Sequence, residues 1–113
     1  MAIRGQISTV NSNAPYLGTP VGYQQLTSFA TATKLTVPST AFYALINVEG
    51  TVGTDTVRWR DDGTAPTTTV GMLMNSSGSS SWPPFLLQGD LASYQFIVAG
   101  GSPKLNVSYY GSG

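Results

Sequence analysis

The chain of 113 residues contains no cysteine and no histidine. Without thiols there is no disulfide frame, no thiol nucleophile and no thiolate zinc site. Without imidazoles there is neither a Ser-His-Asp triad nor a histidine metal ligand. Charge is scarce as well. Five basic and five acidic residues make up 9% of the chain, against about 25% in an ordinary soluble domain. A net charge of zero argues against a duplex nucleic-acid partner, which needs several Lys or Arg on phosphates. No apolar run approaches the ~18 residues of a membrane span. Met1 to Gln6 lacks the apolar stretch of a secretion signal. The expectation is a protein with no cofactor, no metal, no nucleic acid and no membrane among its partners.

What is present is small, polar and β-branched. Gly, Ser and Thr fill 40 positions, and hydrophobic residues make up 41%. That is too apolar for a disordered chain, and the length suits one domain with one core. Free monomers keep charge on their surface for solubility. A chain with so little is either a very compact β domain or one whose surface is covered by partners.

The first third is irregular. Pro15, Gly18, Pro20 and Gly22 interrupt isolated apolar residues such as Ile3, Ile7, Val10, Leu17, Leu26 and Phe29. A structureless stretch of this length is unusual inside a compact domain. Residues 1–32 therefore read as an extended N-terminal arm, ordered by neighbouring subunits, with one short strand near Ile3–Val10; the alternative is a long loop packed on its own domain. Residues 33–113 read as the folded domain.

From Thr33 the pattern is that of strands. Lys34 to Val37 alternates and stops at Pro38. Phe42 to Glu49 is a near-continuous apolar run ended by Gly50, which suits a strand covered on both faces. Asp55 to Arg60 alternates, with Val57 and Trp59 on one side, and Asp61-Asp62-Gly63 signals a tight turn. Thr67 to Met74 follows, with Met72 and Met74 as core filler. Beyond the low-complexity loop around Ser76–Ser81 come Phe85-Leu86-Leu87, then Ser93 to Val98, then Lys104 to Tyr110. Alternation in the last run sends one of Tyr109 and Tyr110 inward and the other outward. About seven or eight short strands with turns every 8–12 residues predict an all-β fold. The expected form is a jelly-roll-like antiparallel β-sandwich, its strand order left open.

Half of the ten charges lie in Asp55, Arg58, Arg60, Asp61 and Asp62. Three chemistries compete there. Asp55, Asp61 and Asp62 are hard oxygen ligands for calcium, although a calcium loop alternates its acids and this run does not. Glu49 with Asp61 or Asp62 has the composition of a glycosidase pair. Arg58, Trp59 and Arg60 are residue types enriched at interfaces. The structural alternative places Trp59 in the core, with Arg58 and Arg60 outside, paired to the acidic turn. Trp82-Pro83-Pro84-Phe85 is either a docking platform or a cap on the sandwich. No catalytic constellation stands out, so the chain reads as a non-enzyme.

The run Val57-Arg58-Trp59-Arg60-Asp61-Asp62-Gly63-Thr64-Ala65-Pro66 has the form R-(W/Y)-x-x-D-G-T-x-P. Lys104-Leu105-Asn106-Val107-Ser108-Tyr109 has the form K-L-N-V-(S/T)-(Y/F). With Leu35–Pro38, Ala44–Gly50, Val70–Met74 and Gly89–Leu91 around them, these motifs resemble small β-rich virion structural proteins of tailed bacteriophages. The resemblance spans roughly Thr33 to Tyr110, and the loop at Ser76–Ser81 is longer than that pattern. It implies a capsid decoration (cement) protein on the outer surface of the particle. The implied partners are the major capsid protein and copies of itself, as a dimer or trimer. The alternative is a receptor- or glycan-binding module of a head or tail fibre. Its stacking platform would be Trp82, Phe85 and Tyr110, with Asp61, Asp62 and Asn75 as polar contacts to a host-surface glycan. The expected interface residues are Arg58, Arg60, Asp61, Asp62, Trp82, Phe85 and Tyr110.

Overall fold

Alternation in the last strand sets the core. Leu105, Val107 and Tyr109 are at most 1% exposed, while Asn106, Ser108 and Tyr110 between them stay half-exposed. The same period of two runs through the other strands. The computed structural model describes residues 18–76 and 84–112. These form eight strands: β1 (Thr19–Leu26), β2 (Thr33–Lys34), β3 (Ala41–Glu49), β4 (Thr56–Arg60), β5 (Met72–Asn75), β6 (Phe85–Leu87), β7 (Gln95–Gly100) and β8 (Lys104–Gly111). A single 3-10 turn, Leu91–Ser93, precedes β7, and its first residues are held by the Asp90 carboxylate, which accepts from the Ala92 N–H.

The strands make two four-stranded antiparallel sheets. Sheet I has the order β1-β8-β3-β6 and sheet II the order β2-β7-β4-β5. The pairs β1–β8, β2–β7, β3–β6 and β4–β5 are those of one long hairpin, and the pairings β3–β8 and β4–β7 join its rolled halves. This is the jelly-roll arrangement of a β-sandwich. Its core combines Ala44, Ile46 and Val48 from β3, Leu87 from β6, Val57 from β4 and Phe96 from β7 with the inward residues of β8.

The sandwich begins well before Thr33. β1 pairs with β8 along its whole length, from Thr19 opposite Gly111 to Leu26 opposite Leu105. Leu26 and Phe29 are core residues, and the Phe29 carbonyl accepts from the Val98 N–H. Residues 18–32 are therefore part of the domain rather than an arm, and residues 1–17, with the strand expected near Ile3–Val10, lie outside the described residues. The inward positions of β1 explain why it does not read as a strand. Gly22 sits where a Cβ would come within 3.0 Å of Pro38 and 3.7 Å of the Tyr109 ring. Gln24 accepts from the Thr36 N–H at 3.0 Å and the Tyr109 hydroxyl at 2.7 Å. An inward amide is tolerated because it is fully engaged. Burial pushes the Tyr109 phenol up to about 12.

Three other expectations change. The pairing predicted over Lys34–Val37 is confined to Thr33–Lys34. Of Thr67–Met74, only the end is strand, because residues 61–71 form a loop held against β4. β3 spans the predicted run, but only its inner side is covered, and Tyr43 and Leu45 on its outer side remain half-exposed.

One carboxylate ties two loops together at one end of the sandwich. Asp55 accepts from the Thr51 N–H at 2.5 Å and from the Ser102 N–H at 2.8 Å. Gly101, with a φ of +68°, leaves the room for it: a Cβ there would overlap the carboxylate. These backbone donors hold the Asp55 carboxyl below its ordinary value. A carboxyl depressed on folding contributes stability above its unfolded pKa of about 3.9 and loses it as pH falls through the lower folded value. Asp55→Asn should therefore melt below the wild type at pH 7, and the gap should narrow as the pH of the melts is lowered below the ordinary carboxylate value of about 3.9. A chain lacking residues 2–32 should show no cooperative melt by circular dichroism, because it has lost β1, Leu26 and Phe29.

Candidate functional site

The charged residues of β4 and its turn separate into distinct tasks. Arg58 does not pair with the acidic turn. Its guanidinium donates to the Gly71 carbonyl at 2.7 Å and the Thr68 carbonyl at 3.2 Å, clamping the 61–71 loop onto the sheet. Arg60 does pair with the turn, through a two-pronged contact to Asp62 whose Nε–Oδ1 distance is 3.1 Å. Asp62 also accepts from the Thr64 N–H at 3.2 Å and so closes the turn. The Arg60 guanidinium holds the Asp62 carboxyl below its usual range, and Asp62 raises Arg60 in return.

Beside this pair lies an open groove of about 420 Å³, lined by Arg60, Asp61, Asp62, Val70, Gly71 and Met72. Its apolar wall continues onto β5, an edge strand of sheet II with no further strand beside it among the described residues. Met72 is 60% exposed and Leu73 52% exposed. Met74 packs against the core as expected, but Met72 does not.

Trp59 points into the sandwich. Its ring centroid lies 5.3 Å from Tyr94 and 6.2 Å from Phe85, and Tyr94 stacks at 6.3 Å on Phe96. The row runs from the buried core to the half-exposed Phe85. Tyr94 donates to the Gln88 carbonyl at 2.9 Å, and burial, with the Asp61 charge second, raises its phenol.

The remaining expected groupings are not assembled. Asp55 precedes β4 and Asp61 follows it, so the two lie about 20 Å apart along an extended strand. No group of three acids that could hold a metal occurs among the described residues. Glu49 ends β3 at the loop that leads into β4, whereas Asp61 and Asp62 follow the far end of β4, so no glycosidase pair forms. Glu49 instead accepts from Gln25 at 3.3 Å and Asn106 at 2.7 Å. Phe85 faces inward, opposite Ile46, while Tyr110 pairs with Tyr43 on the outer side of sheet I. Asn75 pairs with Thr56, at the other end of β5 from the groove. Phe85, Tyr110 and the acidic turn thus make no common platform, and Trp82 lies outside the described residues.

Two surfaces were not expected. One is the β5 edge with Val70, Met72 and Leu73. The other is the outer side of sheet I, where Tyr23, Tyr43, Leu45 and Leu86 accompany Tyr110. Its signal in the sequence is the missing alternation of Phe42–Glu49. No family model matches the chain, and neither curated proteins nor solved structures give a match.

Trp59→Ala should destabilise the domain by about 3 kcal/mol in chemical denaturation, since it opens a cavity between Tyr94 and Phe85. Arg58→Met should leave the core intact but expose the 61–71 loop to limited proteolysis.

Proposed function

We propose that the chain is a bacteriophage virion structural protein, a capsid decoration (cement) protein on the outer surface of the particle. Its partners are the major capsid protein and copies of itself. The observation that carries this reading is the β5 edge beside the groove. A free sheet edge that exposes Met72 and Leu73 is a hazard for an isolated molecule, and proteins ordinarily blunt such edges with charge, proline or a covering element. Among the described residues none of these blunts Met72–Asn75, and the charges stand beside it in the groove, as the Arg60–Asp62 pair and Asp61.

That combination suits a protein surface. Backbone groups of the edge can pair with a strand of the capsid subunit, Met72 and Leu73 fill apolar pockets, and Arg60 and Asp61 set register. Two further features agree with the reading: the low total charge and the jelly-roll sandwich, an architecture that recurs in viral capsid domains but does not by itself assign a task. The mechanism is mass action. A ligand that binds only the assembled shell stabilises it against disassembly.

Particles stripped of the protein should leak their genome at lower temperature or under milder osmotic shock, and purified protein should restore retention. Leu73→Asp, at an exposed position, should melt like the wild type yet fail to restore retention. Equal genome retention with and without the protein would contradict the proposal.

A further inference from the structure

Among the described residues nothing covers the outer side of sheet I, and that side is complementary to itself. Its residues fall in four rows across the sheet. Tyr110 pairs with Tyr43; Tyr23, Ser108, Leu45 and Leu86 make the next row; Gln25, Asn106 and Asn47 the third; Lys104 and Glu49 the last. Tyr23 is 65% exposed, and the other apolar side chains of the first two rows are half-exposed. β3 and β8 are the two central strands of the sheet.

A two-fold axis parallel to the strands, running between β3 and β8, lays β8 of one copy over β3 of the other. Each row then meets itself in reverse. Tyr110 faces Tyr43, Ser108 faces Leu45, Asn106 faces Asn47, Lys104 faces Glu49, and at the rim Tyr23 faces Leu86. The charges match because the face carries one Lys and one Glu on the two central strands. The matching is closest near the axis, since stacked sheets cross at about 30° and about 10 Å apart. The polar rows are already engaged within the chain: Asn106 donates to Asn47 at 3.0 Å and to Glu49 at 2.7 Å, and accepts from Tyr23 and Gln25. Engaged amides lose little when water is removed from above them. Lys104 and Glu49 stand opposite each other in the ladder but form no ion pair among the described residues, and the Glu49 carboxylate, held in place by Gln25 and Asn106, presents its charge toward a facing copy.

We propose that the outer side of sheet I is an isologous dimer interface, occupied by a second copy of this chain through two-fold stacking of β3 and β8. Such an interface closes on itself and leaves the β5 edges of both copies free. It holds whether or not the chain decorates a capsid, and its test needs no particle.

The test is sedimentation velocity of the purified full chain across a concentration series. The wild type should sediment at twice the chain mass. Leu45→Arg, at an outward-facing position, should raise the dimer dissociation constant by about 100-fold or more, with a melting temperature equal to that of the wild type when both are measured dilute enough to be monomeric. Charge reversal gives a sharper reading. Glu49→Lys alone sets Lys against Lys104 of the facing copy, and Lys104→Glu alone sets Glu against Glu49. Each should raise the dissociation constant by about 10- to 100-fold at low salt. An equimolar mixture of the two variants should recover a dimer containing one of each, because every facing pair is then opposite in sign. A monomeric wild type, a dimer that Leu45→Arg leaves intact, or a mixture no tighter than its components would each place something else on this face and overturn the proposal.

Discussion

The antiparallel ladder between β3 and β8 is the interaction on which the rest of the molecule depends. It runs from Ala41 opposite Gly111 to Glu49 opposite Lys104. Its inward residues are nearly fully buried, and its outer edges receive β1 and β6. A slip of one residue would turn Leu105, Val107 and Tyr109 to solvent, so burial itself holds the register. Two irregularities flank the Tyr110 end: β1 carries an extra residue at Val21 and β3 one at Phe42. Bulges of this kind bend and twist a strand locally. They lie where the sheet passes Gly111, at which a Cβ would overlap the Thr40 carbonyl.

Of the described charges, Arg58 alone stands in the middle of a strand, and the others sit at strand ends or in turns. Asp55 is spent on backbone N–H groups of two loops, Arg58 on backbone carbonyls, and Arg60 and Asp62 on each other. The outer side of sheet I, apart from Lys104 and Glu49 at one end, is left to Tyr, Leu, Ser, Asn and Gln. Hydrogen bonds among neutral groups can be covered by a neighbour at much less cost than charges can. Under the proposed function, such a surface suits packing against capsid subunits and neighbouring copies. Among the described residues the β5 edge and the outer side of sheet I are two places that expose large apolar side chains, and they lie on different sheets, so both can be covered at once.

Much of the fold was legible where hydrophobic alternation was strong. The runs that became β3, β4, β6 and β8 stand out in the sequence with boundaries within a residue or two of the structure. β1 was hidden because its inward positions, Gly22 and Gln24, are a glycine closely approached by Pro38 and an amide engaged by its neighbours. No period-two hydrophobic signal survives such a substitution. β5 was read too long because the clamp from Arg58 to Gly71, which keeps the preceding residues in a loop, is a long-range contact with no local signature. The same holds for the candidate site. Arg60 with Asp62 and the inward Trp59 follow from alternation and spacing, whereas the separation of Phe85 from Tyr110 depends on strand order. The apolar outer side of β3 was visible, but as a strand covered from both sides. The inner cover is the protein's own core, and the outer cover is not found among its described residues.

The most direct measurement is electron cryo-microscopy of intact particles carrying the protein, with the copies counted and placed. The account predicts regular density over the outer head surface, in two-fold pairs that join through sheet I, with each β5 edge against a capsid subunit. Copies confined to a tail or fibre, or single copies seated through the outer side of sheet I, would contradict it.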